Sequence, residues 1–475
     1  MATESTRIRK GSVKPSAVIP WRAIGAYAAM LAAAAAVFFI VVRLGASLTA
    51  PPAPAVPIEI ARHDEPAATN LVVHVLLALA AVIGLGRLLG ALLSRVRQPP
   101  VIGEVLAGIM LGPSLLGRVA PGVGAFLLPD AITPTLTLIA QIGVVLYMFI
   151  VGLELNLDRV GSRAHATVAI SHASIVAPFV LGTTLALYLY PRFSTSDVPF
   201  TSFALFIGVA MSITAFPVLA RILSDRGMTY SDLGVIALTC AAVDDVTAWC
   251  LLACVVGVAE ARAESAVVVV ILTLAFIAVM LLVVKPLIRR LIGEDERRNW
   301  RAFVVTLAGV AVSAFVTETI GVHAIFGAFL FGAILPHDGI VARTWTTNVK
   351  APITILLLPA FFALAGMRTR VDLVDSAFAW LVCLLIIVVA TAGKFGGTFV
   401  AARLSGVHAR QAAGLGILMN TRGLMQLIVL NVGLDLGVLT PTLFTMLVLM
   451  ALATTMATSP LLDRALQSAD HHQWP

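Results

Sequence analysis

The chain has 475 residues, 59% of them hydrophobic and only 12% charged, with a mean hydropathy of +0.99. Soluble domains carry about 25% charged residues, so this composition cannot cover a water-facing surface and excludes a soluble enzyme. The net charge of +7 does not point to nucleic acid, because the basic residues sit in short segments between apolar runs, as the positive-inside bias requires.

The N-terminal stretch carries Arg7, Arg9, Lys10, Lys14 and Arg22 ahead of an Ala-rich apolar run. That run, at 23–47, outlasts the 7–15 residues of a signal-peptide core, so a retained helix is expected after a cytoplasmic tail at 1–22. Further apolar segments fall at 69–93, 99–118, 133–153, 165–190, 200–224, 231–258, 265–288, 302–318, 321–336, 348–367, 376–402, 409–434 and 440–462. About 20 apolar residues span a bilayer, so the chain reads as an all-α polytopic membrane protein. Its membrane domain covers 69–463, and 464–475 form a short cytoplasmic tail. Cys240, Cys250, Cys254 and Cys383 all lie inside apolar runs, as packing thiols without a disulfide framework or zinc spacing. The glycine run Gly84-x-Gly86-x-x-x-Gly90 lacks dinucleotide-binding spacing and suits close helix packing.

With the N-terminus inside, inner segments hold 22 Lys and Arg residues and outer segments 7. This bias predicts an even number of spans with both termini cytoplasmic. The run from Ile102 to Pro113 is echoed by Ile320 to Pro336, each followed by an apolar helix, closing at Gly152 in one unit and Gly366 in the other. The two units enter the membrane from opposite sides, the inverted-repeat signature of secondary transporters.

Asp244 and Asp245 lie about 13 residues, or about 20 Å, from either end of segment 231–258. One aspartate at mid-membrane costs about 2.5–3.5 kcal/mol; two adjacent ones require a cation or a hydrated cavity. Neighbouring helical residues point about 100° apart, so one can face a cavity and the other a second helix. Lys394 can reach the pair from its own helix, or snorkel to the inner interface. Two segments read as broken helices: one at Thr214 to Pro217, where proline removes an amide, the other at Asn420-Thr421-Arg422. Each alone could be an ordinary kink. Together they read as a crossing pair whose carbonyls, hydroxyls and helix ends flank an ion site. Arg422 either offsets the negative helix ends or pairs with a carboxylate. Glu104 and Glu154 fall near segment ends, and His172 reads as a packing histidine.

The runs Gln98 to Pro113, Thr214 to Leu223, Ala241 to Trp249 and Leu418 to Leu424 resemble the monovalent cation:proton antiporter superfamily. The branch they resemble contains bacterial potassium-efflux antiporters and plant cation/proton exchangers. The resemblance implies an inverted-repeat antiporter fold of about 13 core helices, here preceded by one extra N-terminal helix, in a homodimer working by elevator-like alternating access. It implies that Asp245 binds the cation and proton, with Asp244 as its neighbour and Lys394 paired to the aspartates. Thr214, with the aspartates, is a candidate ligand of the cation. The nucleotide-binding domain of some members is not expected. The reading is a secondary transporter exchanging Na+ or K+ for protons in the cell (inner or plasma) membrane. No cofactor is needed beyond the transported ions. Asp-Asp, where many plant-type members have Asn-Asp, leans toward electrogenic exchange. A cation uniporter and a sodium-coupled symporter of an organic anion are the alternatives.

Overall fold

A backbone amide or carbonyl facing lipid without a partner costs several kcal/mol, so a lipid-exposed span closes its hydrogen bonds as a helix. The computed structural model describes residues 21–52, 70–96, 98–154, 164–229, 231–260, 263–291, 299–336 and 339–467. Nearly all of the expected N-terminal tail, and 468–475 of the C-terminal one, lie outside the described residues. The first half contains α1 (Trp21–Gly45), α2 (Leu71–Arg95), α3 (Pro100–Leu111), the short α4 (Leu116–Val119) and α5 (Pro121–Leu127), and α6 (Thr133–Glu154). It continues with α7 (Ala164–Phe193), α8 (Phe200–Ser212), α9 (Phe216–Asp225) and α10 (Asp232–Glu260). The second half contains α11 (Ala263–Val279), α12 (Lys285–Leu291), α13 (Asn299–Ile320), α14 (Ala324–Ile334), α15 (Ile340–Thr344), α16 (Lys350–Pro352) and α17 (Leu358–Met367). It ends with α18 (Ala377–Leu404), α19 (Ala409–Met419), α20 (Leu424–Asp435) and α21 (Pro441–Gln467).

Among the described residues, 11 helical stretches are long and apolar enough to cross a bilayer. The other three expected segments hold shorter helices: α8 then α9, α14 alone, and α19 then α20. Pro100, Pro121, Pro217 and Pro441 all stand in the first turn of a helix, where a missing amide forfeits no hydrogen bond.

The helices pack in two groups. In one, α6 lies on α14 and α3 on α17, with α2 and α13 on the flanks. In the other, α7 packs on α8 and α18, α18 on α19 and α21, and α10 on α7. Helix α1 joins the second group, lying against α7 and α8. Its Val41 is buried there, and its Tyr27 meets His172 edge to face with ring centres 5.2 Å apart.

The two similar sequence units meet by a repeated contact. A Cβ on Gly152 would collide with the Phe329 carbonyl, and one on Gly332 with the Phe149 carbonyl. In the other pair, Gly108 lies against the Ala363 carbonyl and Gly366 against the Val105 carbonyl. Each glycine thus meets the carbonyl three residues before the glycine facing it. Both helix pairs approach as closely as a missing side chain allows, by the same register in each.

Candidate ion-binding site

Helix α8 stops at Ser212, and the backbone is extended at Ile213 and Ala215 before α9 begins at Phe216. The second interruption, at 420–423, separates α19 from α20. The two breaks touch: the Ala215 amide donates to the Thr421 carbonyl at 3.0 Å. Two helix C-termini, with partial negative charge, and two N-termini, with partial positive charge, therefore converge in the protein interior. Pro217 is the second residue of α9, just past the break.

Asp244, on α10, is 1% exposed and fully engaged. Its Oδ1 accepts from the Ser171 hydroxyl. Its Oδ2 accepts from Ser174 Oγ at 2.7 Å, Thr214 Oγ1 at 2.8 Å and Lys394 Nζ at 3.0 Å. Lys394, from α18, is likewise buried, and its ammonium also donates to the Ser212 carbonyl at 2.6 Å and the Ser174 carbonyl at 2.9 Å. An ammonium has three donors; here each has an acceptor. Charge-assisted hydrogen bonds are roughly twice as strong as neutral ones, which accounts for a charged pair held away from water.

Asp245 is equally buried, at 2% exposed, yet neither of its carboxylate oxygens reaches a hydrogen-bond donor among the described residues. The backbone amide of Phe216, the first of α9, is the donor nearest in effect, but it stops short of hydrogen-bond geometry. Two consecutive aspartates thus occupy opposite situations: one locked by hydroxyls and a lysine, the other left open at a helix N-terminus.

Arg422 spreads its guanidinium over the C-terminal turn of α8. It donates to the carbonyls of Ala210 at 3.1 Å, Met211 at 2.7 Å and Ile213 at 3.3 Å, and to Gln426 Oε1 at 3.1 Å. It therefore offsets the negative end of α8 and makes no salt bridge with a carboxylate among the described residues. Thr421 Oγ1 donates to the Leu418 carbonyl, and Asn420 Nδ2 reaches Thr391 Oγ1 at 3.4 Å. The sequence suggests break carbonyls as cation ligands; at α8 those of Ala210 to Ile213 are already taken by Lys394 and Arg422. That leaves Asp245, next to Asp244 and its Thr214 partner, as the carboxylate whose oxygens are unoccupied among the described residues. Among the described residues no cluster of three His, Cys, Asp or Glu side chains offers a resident metal centre.

A cavity of about 500 Å³ opens between the helix groups and runs from Arg221, Glu154 and Lys350 inward to Tyr147 and Phe216. At the opposite end, a space of only about 50 Å³ lies between Gln141, His323, Arg368 and Asp435. The space at the Arg221 end therefore reaches the level of Phe216, whereas that at the Arg368 end is about a tenth of its volume and is not lined by Phe216. Glu104 lines the larger cavity at 8% exposed, while Glu154 at its mouth pairs with Lys350 at 2.6 Å. His172 packs under Tyr27. Ser171, Ser174 and Tyr147 are not distinguished by the sequence. The i, i+3 serine spacing on α7 is the one signal that marks the first two.

Membrane-length helices around buried charges and two touching helix breaks define an integral membrane transport protein. Residues 75–464 match the family model described as "Sodium/hydrogen exchanger, transmembrane", and the chain belongs to this family of transporters, which are not enzymes. It is 42% identical over 412 residues to the Na(+)/H(+) antiporter NhaS4 of Synechocystis sp., covering 85% of this chain and all of that one. It is 40% identical to cation/H(+) antiporter 20 of Arabidopsis thaliana, over 80% of this chain and 47% of that one. With K(+)/H(+) antiporter 1 of Saccharomyces cerevisiae it shares 31% identity, over 78% of this chain and 43% of the other. The chain thus spans about half the length of the plant and yeast relatives. The solved structure of the sodium proton antiporter MjNhaP1 from Methanocaldococcus jannaschii at pH 8 superposes with a TM-score of 0.64. That match has 15% identity and covers 84% of this chain and 98% of the other, a likeness of fold.

Proposed function

We propose that the protein exchanges a monovalent cation, Na+ or K+, for protons across the cell membrane by alternating access, with net movement of charge. The antiport activities named for its relatives support cation/proton exchange. The observation that carries the site assignment is the contrast within the aspartate pair. A buried carboxylate without donors is costly unless a proton or a cation joins it. Asp245 holds one or the other, and the Phe216 amide steadies its charge between the two. Asp244 stores its compensation in Lys394. A cation arriving between the aspartates competes with that ammonium, which then releases a proton. Two protons given up for one cation moves one net charge. The breaks at Thr214 to Pro217 and Asn420 to Arg422 act as a crossing pair, and the matched glycine contacts reflect an inverted repeat.

Orientation and assembly belong to the same proposal: the Arg221 end is cytoplasmic, as are both termini, and the chain works as a homodimer. The larger cavity makes this an inward-open arrangement.

The test is proton flux in proteoliposomes acidified inside and challenged with Na+ or K+. The wild type dissipates the gradient, and Asp245→Ala does not. Unchanged flux in that variant removes Asp245 as the site. Cation current that persists equally without a proton gradient, and never moves protons, removes exchange itself.

A further inference from the structure

The larger cavity contains a carboxylate that the exchange site does not use. Glu104, on α3, is more than nine-tenths buried, lines the cavity, and has no hydrogen bond or ion pair with any described residue. Its neighbours explain why it stands there. A Cβ on Gly86 of α2 would meet the Cγ of Glu104 at 3.3 Å and its Cα at 3.5 Å, so α2 packs closely on the stem of this side chain because position 86 has none. Arg87 also lines the cavity and acts on Glu104 electrostatically. At the mouth, Glu154 is already neutralised by Lys350. Tyr147, opposite, lies within electrostatic reach of Glu154, Glu104 and Asp245 together. Glu104, Tyr147 and Glu154 thus line one cavity, and Asp245 lies beyond its lining, near enough to act on Tyr147 electrostatically.

Burial without a partner disfavours an isolated carboxylate by several kcal/mol, so packing alone does not account for a glutamate here. A glutamine would fill the same volume without the charge. The cavity of about 500 Å³ is roomy enough for a cation that keeps several of its waters, which the tightly packed surroundings of Asp245 are not.

We propose that Glu104 is a second binding site for the transported monovalent cation, where the partly hydrated ion is held in the cavity before it passes Tyr147 and Phe216 to Asp245. This rests on the exchange reading above, but it is separable from it, because it predicts an equilibrium binding event as well as a rate effect.

Binding of radiolabelled sodium and of rubidium to the purified full-length protein is measured first, without flux. The variant Asp245→Asn is expected to keep one weak cation site, and Asp245→Asn with Glu104→Gln to lose it. In proteoliposomes, Glu104→Gln is expected to raise the cation KM about tenfold, equivalent to 1.4 kcal/mol, while the maximal rate stays within about twofold. Glu104→Asp, which keeps the charge, is expected to restore most of the affinity, as a purely structural role for the side chain would not require. Equal binding by the single and double variants, or a KM unmoved by Glu104→Gln in an otherwise active exchanger, overturns the proposal and leaves exchange at Asp245 intact. Absence of proton-coupled flux in the wild type overturns the exchange reading instead, and the binding result then decides whether Glu104 holds a cation at all.

Discussion

Arg368 Nη1 lies 2.8 Å from Asp435 Oδ1 and 3.0 Å from Asn431 Oδ1, joining the end of α17 to the end of α20. Helix α20 packs on α21 and α8, so the bond ties it to α17 of the other group, at the end where only about 50 Å³ of space remains. Opening that end requires this pair to separate. Both partners are partly exposed, so the pair contributes about 0–1 kcal/mol, enough to bias two conformations by up to about fivefold. Asp435→Asn is expected to populate the conformation open at the Arg368 end. A cysteine placed at Gln141, which lines the small space, then reacts faster with a membrane-impermeant maleimide. Equal labelling with and without Asp435→Asn would show that the pair does not hold this end shut.

Removing Lys394 leaves Asp244 buried without its cation. Breaking one side of a buried ion pair costs about 3–5 kcal/mol, so Lys394→Met is expected to lower the melting temperature sharply. Asp244→Asn together with Lys394→Met removes both charges and should recover most of that loss. The recovered variant provides a folded protein in which to ask about charge transport. If the lysine carries a proton, current on a solid-supported membrane disappears even where exchange persists; retained current rules the lysine out.

Arg422 serves two carbonyls of α8, that of Ile213 just after it, and Gln426 from one planar group. Lysine has a single point charge and three donors, so it cannot reproduce this fan of contacts. Arg422→Lys is therefore expected to behave nearly as badly as Arg422→Met, with exchange down at least about tenfold and thermal stability reduced. Near-normal exchange in Arg422→Lys would mean that charge alone matters at this end.

The four matched glycines make a symmetric prediction. Alanine at Gly152, Gly332, Gly108 or Gly366 drives a methyl into a facing carbonyl; overpacking of this kind costs about 1–3 kcal/mol. Thermal denaturation in detergent should report comparable losses at all four. A harmless Gly152→Ala beside a damaging Gly108→Ala would argue that the two contacts are not equivalent.

What could be read in the sequence was whatever contrasts with an apolar background. Asp244, Asp245 and Lys394 stand out because charge inside a membrane run is rare and costly, and Pro217 and Arg422 mark the breaks for the same reason. The partners of those residues did not stand out. Ser171 and Ser174 hold Asp244, yet hydroxyls are common in membrane helices and close locally on their own backbone. Three of the four acceptors for Arg422 and two of the three for Lys394 are backbone carbonyls, which every residue has, so no side-chain pattern announces them. Glu104 falls near the end of its segment, where the sequence leaves a solvated interfacial role and a functional one equally open. Only the packing of α2 against α3 makes it a cavity-facing carboxylate. The cavity is equally hidden in the sequence, since its volume depends on how α3, α6, α9 and α17 are spaced.

Among the described residues helix α1 packs chiefly on α7 and α8, with most of its apolar surface turned outward. Under the proposed cycle, any excursion of the serine-bearing α7 drags this outrigger sideways through lipid. Bilayer viscosity and thickness would then act directly on turnover, and a fluorophore on α1 would track the travelling half of the machine rather than its frame.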